Sequence, residues 1–256
     1  MLSSHKFVYP FDVPNGVKIL VAGCDVQDDR IEVEVLGIGD DLETWSIEYK
    51  RFVGDTEQSF VWDQLDNFLL KSWKHECGMD MYILGAAVDS GHRAKVVYDF
   101  CKKREYRRIF PVKGMSGWGK GLVNRAKAKN KEGAWLHLVY VDEMKSKVYS
   151  LLKLDTPGAG YCHFPDKPDY DETYFMMLTA ERLERKRVNG QWKLHWALIK
   201  NRRNEALDCR NYALAIAYVL YPDIEAINKM PAPLSPNSIT TIAKKAVRKV
   251  LSRGIQ

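Results

Sequence analysis

Three aspartates, Asp25, Asp89 and Asp208, are placed where a carboxylate needs a partner. Asp25 ends the nearly continuous apolar run Gly16-Val17-Lys18-Ile19-Leu20-Val21-Ala22-Gly23-Cys24, the pattern of a strand covered on both faces. Asp89 ends a second such run, Met81 to Val88, and Asp208 lies near the start of an otherwise almost wholly apolar helix. An ionised carboxylate taken out of water is costly unless a cation, a donor network or water meets it. At about 4 Å and an effective dielectric of about 20, each like-charged pair repels by roughly 4 kcal/mol. Three such groups in one pocket therefore make sense around cations. Carboxylate oxygens suit Mg2+ or Mn2+, which act in pairs to activate water and steady the departing oxygen of a phosphate ester. Simpler roles exist for each: Asp25 in a solvated turn with Asp28 and Asp29, Asp89 capping the following helix, Asp208 as a structural carboxylate.

A second constellation is Gly114-Met115-Ser116-Gly117-Trp118-Gly119-Lys120-Gly121, which has phosphate-loop spacing except at its end. Gly121 replaces the hydroxyl that would hold Mg2+, and Leu122-Val123-Asn124-Arg125 supports a helix only weakly, so no nucleotide site is expected. Between Lys102 and Lys131 there are eleven Lys or Arg and one acid, Glu105. A flexible basic flap that meets a polyanion, with Trp118 able to stack on a base, fits these residues better. The histidines, including His137, His163 and His195, lack metal-ligand spacing; His92, close behind Asp89, is a candidate for the edge of the acidic site, with a plain surface position as the simpler reading. The five cysteines are scattered and contain no CxxC, which argues against a disulfide framework and a zinc site.

The elements that must position these groups follow from periodicity. After Asp25, Ile31 to Ile38 alternates as a half-exposed strand, and Glu43 to Phe52 is another, giving an antiparallel meander. Asp55 and Gln58 open a helix expected to run to about His75. Behind Asp89, Ser90-Gly91-His92 opens a helix to about Lys103, and Arg108 to Val112 is a strand. Strand, helix, strand implies parallel pairing through crossovers. Residues 113–133 are expected as an exposed loop or ribbon, Trp135 to Val141 as a strand, Glu143 to Leu154 as a helix, and Thr156 to Asp171 as a loop. Arg182 to Arg187 and Gln191 to Leu198 flank Asn189-Gly190, a tight hairpin turn. Asn204 is expected to cap the last apolar helix, which Pro222 closes. The sum is an α/β chain with a mixed central sheet, three antiparallel strands followed by parallel ones, and helices on both faces.

With 256 residues, 46% hydrophobic and 28% charged, the chain is an ordinary globular one, large enough for one domain and a tail. It has no bilayer-spanning run and no signal-peptide pattern, so a cytoplasmic protein is expected.

The segments Ala22-Gly23-Cys24-Asp25-Val26-Gln27-Asp28-Asp29-Arg30-Ile31-Glu32-Val33, Val88-Asp89-Ser90-Gly91, Pro111-Val112-Lys113-Gly114, His163-Phe164-Pro165 and Arg202-Arg203-Asn204-Glu205-Ala206-Leu207-Asp208-Cys209 resemble the C-terminal nuclease region of large terminase subunits of lambda-like tailed phages. The resemblance runs in order from about residue 17 to 220. It implies an RNase H-like fold and a metal-dependent endonuclease that cuts concatemeric phage DNA during packaging in the host cytoplasm. The family's acidic triad falls on Asp25, Asp89 and Asp208, with two divalent ions, Mg2+ or Mn2+. Its partners would be double-stranded DNA, an N-terminal packaging ATPase, the small terminase subunit and the portal. With no complete phosphate loop, the chain reads as the nuclease piece: residues 1–16 a linker or artificial start, 17–221 the nuclease domain, 222–256 a proline-containing linker and basic tail. Expected DNA contacts are Lys113, Trp118, Lys120, Arg125 and Lys127 in the flap, and Arg202 and Arg203 before the last helix; Glu205, like His92, is expected at the site edge. Two rival readings fit the same residues: a DNA-clamping or docking module whose acids are structural, and another RNase H-like enzyme such as a junction resolvase or an RNase H.

Overall fold

The computed structural model describes residues 2–188, 190–231 and 233. Its strands are β1 (Lys6–Phe7), β2 (Ile19–Val26), β3 (Arg30–Ile38), β4 (Thr44–Val53), β5 (Ser72–Lys74), β6 (Asp80–Asp89), β7 (Ile109–Met115), β8 (Val123–Asn124), β9 (His137–Tyr140), β10 (Cys162–Pro165), β11 (Glu181–Val188) and β12 (Gln191–Leu198). Its helices are α1 (Ser59–Leu69), α2 (Ala94–Lys102), α3 (Val141–Leu151), α4 (Glu172–Leu178), α5 (Glu205–Leu220) and α6 (Glu225–Asn228).

The main sheet runs in the order β1-β10-β4-β3-β2-β6-β7-β9-β8, with β5 pairing β6. As the sequence implies, β2, β3 and β4 form an antiparallel meander, and β6, β7 and β9 continue parallel to β2. This is an RNase H-like arrangement, a mixed sheet with helices on both faces. Alternation along β2 divides the core. Ala22, Cys24 and Val26 pack with Val61 and Trp62 of α1 and Val97 and Phe100 of α2, whereas Ile19 and Val21 pack with Ala213, Leu214 and Ala217 of α5. Every residue of β2 is buried, the condition its apolar run demanded.

Several expectations are corrected. β3 is not half-exposed: Glu32 and Glu34 are buried, 1% and 0% accessible, because α5 covers the face that alternation assigned to solvent. The first helix stops at Leu69 rather than near His75, since Ser72–Lys74 pairs with β6 and carries Trp73 into the core as a strand residue. α2 begins at Ala94 after Arg93, so Asp89 lies too early to be its cap. Residues 113–133 are not wholly loop, because β7 extends to Met115 and β8 pairs with β9. The stretch 156–171 contains β10, parallel to β4. Asn204 occupies the position before α5, but its side chain makes no capping bond.

Part of the expected N-terminal linker belongs to the folded body: β1 pairs with β10, and Val13, fully buried, bridges to His75. The β11–β12 hairpin forms as read, with Gly190 at φ +80° in the turn. At the other end, the expected linker from residue 222 also begins inside the folded body, because α6 buries Ile227 fully and Asn228 bonds Lys18 and Asp41. Asn189, residue 232 and residues 234–256, with the basic part of the expected tail, lie outside the described residues.

Candidate active site

The parallel register Gly23↔Ala87 and Cys24↔Val88 brings Asp25 and Asp89 to the same level of neighbouring strands, which lie about 4.8 Å apart. Both share the parity of Val21 and Ala87, the face beneath α5. The helix can lie close because residue 23 is glycine: a Cβ there would run into the Cys209 carbonyl oxygen and the Ala213 amide nitrogen. Asp208, one residue before Cys209, is thereby carried to Asp25, and Tyr212, one helical turn later, bonds through its hydroxyl to Asp89.

Each carboxylate has named neighbours. Gln27 donates from Nε2 to Asp25 Oδ2 at 2.6 Å. The Gly91 amide donates to Asp89 Oδ1 at 3.1 Å. Asn204 donates from Nδ2 to Asp208 Oδ2 at 2.8 Å, and Lys145 Nζ lies 3.5 Å from Asp208 Oδ1 and 2.6 Å from Glu181 Oε1. Burial, reinforced by repulsion from Asp208, holds the Asp25 carboxyl well above its ordinary range. Burial also raises Asp89. Asp208 is pushed up to about 6 by burial, against the pull of Lys145. Burial alone would lower the Lys145 ammonium, but Asp208 and Glu181 outweigh it and raise it. The cluster is therefore short of positive charge.

Among the described residues, no three His, Cys, Asp or Glu side chains already form a metal cage. The donor chemistry nevertheless suits a hard divalent cation: carboxylate oxygens, half-buried or buried, electrostatically coupled and undercharged. In this arrangement the Asp208 oxygens are taken up by Lys145 and Asn204.

Lys145, Glu181 and Tyr212 were not anticipated. Lys145 had a readable signal, a lysine at a core position of the apolar series Val141, Val148, Leu152 at helical spacing. Tyr212 is one of two tyrosines in a largely apolar helix, and Glu181, the first residue of a hairpin, carries no local signal.

Beside the aspartates runs a buried ionic network. Glu32 meets Arg30 at 2.8 Å and also Arg203 and Tyr49. Glu34 accepts from Arg210 at 2.6 Å, Ser46 at 2.8 Å and Tyr174 at 2.8 Å. Glu205 is buried, paired with Arg30 and Arg203, and repels Asp25, so it borders the site from within this network. These pairs lock α5 to β3 and with it the position of Asp208. His92 is exposed and pairs with Asp28 at 2.7 Å.

The expected DNA contacts lie in several settings. Lys113, Lys120, Arg125 and Lys127 are exposed. Lys113 has the opposite parity from Val112 and Gly114, which face the α5 side. Trp118 is 38% accessible and donates its indole N–H to the Leu194 carbonyl at 3.0 Å. The flap is tethered to the start of α3, through Gly117 N–H to Asp142 at 2.7 Å and Lys120 N–H to Glu143 at 2.9 Å. Arg203 is engaged with Glu205 and Glu32, and Arg202 donates to the Thr179 carbonyl at 3.2 Å.

A mixed sheet of this topology, with carboxylates at the ends of adjacent central strands and a further one on the late helix that crosses them, is the frame of an RNase H-like nuclease domain. The family model described as terminase large subunit gpA, endonuclease domain, matches residues 3–228, and the chain belongs to that family. It is 36% identical over 223 residues to the terminase large subunit of Escherichia phage lambda, an overlap covering 84% of this chain and 34% of that protein. It is 34% identical over 214 residues to the terminase large subunit of Enterobacteria phage P21, covering 81% of this chain and 33% of that protein. The chain thus spans about a third of the length of these curated relatives. No solved structure matches it significantly. No helix among the described residues is long and apolar enough to cross a membrane.

Proposed function

We propose that this chain is the DNA-cutting domain of a viral packaging terminase, a metal-dependent endonuclease acting on concatemeric double-stranded DNA. One observation carries the reading: Asp25 and Asp89 on paired strands and Asp208 on α5 lie within electrostatic reach of one another and are short of positive charge, though the chain separates them widely. In this reading Asp25, Asp89 and Asp208 would hold two divalent ions, Mg2+ or Mn2+. When bound, the ions supply an activated water and stabilise the departing 3'-oxygen. Gln27 orients Asp25, Tyr212 and the Gly91 amide orient Asp89, and Asn204 and Lys145 orient Asp208. Phosphate contacts from the basic flap would leave the domain nearly sequence-blind. Choice of cut site would then fall to partners, namely the packaging ATPase, the small terminase subunit and the portal, at work in the host cytoplasm.

The rival reading, a clamp that grips DNA without cutting it, draws on the lack of a preformed metal cage among the described residues. Plasmid nicking with Mg2+ or Mn2+ separates the two. Nicking by the chain and its loss in Asp25→Ala, Asp89→Ala and Asp208→Ala supports cleavage, whereas unchanged nicking in the variants removes the triad. Competition among duplex, four-way junction and RNA–DNA hybrid distinguishes a packaging nuclease from a resolvase or an RNase H.

A further inference from the structure

The β11–β12 hairpin forms a sheet of its own, apart from the main one. Its root is fixed to the body. Glu181 bonds Lys145, the Trp196 indole donates to the Asp142 carbonyl at 2.9 Å and stacks on Tyr149, and Trp118 of the flap reaches the Leu194 carbonyl. The outer half is free. Arg185, Lys186, Arg187, Trp192 and Lys193 are exposed, Trp192 to 70%, and residues 185–194 contain four basic side chains and no acid. Glu184, the nearest carboxylate on the strand, is already paired with Arg182. No carboxylate among the described residues pairs with Arg185, Lys186 or Lys193.

An isolated two-stranded ribbon buries too little to hold itself together, and unpaired like charges in register, such as Lys186↔Lys193, weaken it further. Such a ribbon gains from a polyanion. Eight residues at about 3.3 Å each give a length of roughly 26 Å. The major groove of B-DNA, about 12 Å wide, admits a two-stranded ribbon.

We propose that the β11–β12 ribbon is a duplex-DNA arm that lies along a groove and contacts backbone phosphates through Arg185, Lys186, Arg187 and Lys193, with Trp192 against the sugar–base surface. Its root, Glu181, is joined through Lys145 to Asp208, so duplex held by the arm lies next to the acidic cluster. The proposal rests on the reading of DNA as substrate and adds a grip separate from the flap.

The test is fluorescence anisotropy of a labelled 30-base-pair duplex with the full chain in EDTA, titrated at several salt concentrations. A variant carrying Arg185→Gln, Lys186→Gln, Arg187→Gln and Lys193→Gln is compared with a charge control carrying Lys71→Gln, Lys74→Gln, Lys103→Gln and Lys229→Gln, exposed residues outside the ribbon and the flap. The arm predicts at least a tenfold loss of affinity in the ribbon variant, a fall of about 3 in the log–log salt slope, and a near wild-type control. Wild-type binding by the ribbon variant, or equal losses in both, overturns it. If the fourfold variant melts abnormally, Arg187→Glu and Lys193→Glu are read singly in the same assay. Nicking with Mn2+ is scored separately: arm-dependent binding without nicking removes the cleavage reading and keeps the arm, and nicking with arm-independent binding does the reverse.

Discussion

The Lys145 ammonium lies 3.5 Å from the Asp208 carboxylate, the single ion pair that any of the three site aspartates makes with a cationic side chain among the described residues. Its other partner, Glu181, is 6% accessible, and Lys145 itself only 8%. One buried cation therefore balances a buried and a half-buried anion at the edge of an acidic cluster that already repels itself.

Replacing that cation exposes the balance. In Lys145→Met, buried Glu181 and half-buried Asp208 lose their counter-charge, a loss of about 3–5 kcal/mol. The metal-free melting temperature is expected to fall on the order of 10 °C. Millimolar Mn2+ should restore more in the variant than it adds to the wild type, because the ion takes over the missing positive charge. Equal metal-induced shifts in both proteins would show that Lys145 does not share the electrostatic field of the metal ligands.

Asp25 should act oppositely in the metal-free protein. Its carboxyl is raised by burial and by Asp208, so Asp25→Asn removes a repelling charge while keeping an oxygen for Gln27. We expect the variant to melt a few degrees higher in EDTA and to lose the stabilisation that Mn2+ gives the wild type by mass action, about 2.7 kcal/mol at a hundredfold excess over Kd. Differential scanning calorimetry with and without Mn2+ reads both shifts, and a lower metal-free melting temperature contradicts the repulsion argument.

Gly23 sets how near α5 comes to the sheet. A methyl group at Gly23→Ala meets helix backbone, which cannot rotate away as a flexible side chain can. The substitution should cost about 1–3 kcal/mol in urea unfolding and, by lifting Asp208 from Asp25, should reduce the Mn2+-induced shift as well. Stability close to wild type would mean that the helix moves freely over this strand.

His137 provides the pH dependence. It is 5% accessible, accepts the Ala126 N–H at 3.0 Å, and is held down to about 4 by burial and then by Arg125. Above about pH 6.5 the ring is neutral in both folded and unfolded chains and has no effect. As the pH falls from 6.5 to 4, the unfolded chain takes up a proton that the folded one refuses. Roughly 3 kcal/mol of stability is thereby lost across that window. Urea midpoints between pH 7 and 4 should show this slope in the wild type and a shallower one in His137→Gln; identical slopes would assign the acid loss to other groups.

Much of this molecule follows from local chemistry in the chain. The two apolar runs ending in Asp25 and Asp89, the apolar helix carrying Asp208 and the Asn-Gly hairpin were all legible, because strand burial, helical period and turn conformation are properties of neighbouring residues. Charge compensation is not. Glu32 and Glu34 alternate with Ile31, Val33 and Val35 as solvent-facing residues would, and their burial depends on Arg203 and on Arg210, which bonds Glu34 across 176 residues. The pairing of Lys145 with Asp208 likewise exists only once α3, α5 and the root of the hairpin meet. Sequence determined where the acids would end their strands and begin their helix; tertiary packing decided which cations answer them, because a carboxylate's cheapest partner is whichever positive charge the fold brings within reach.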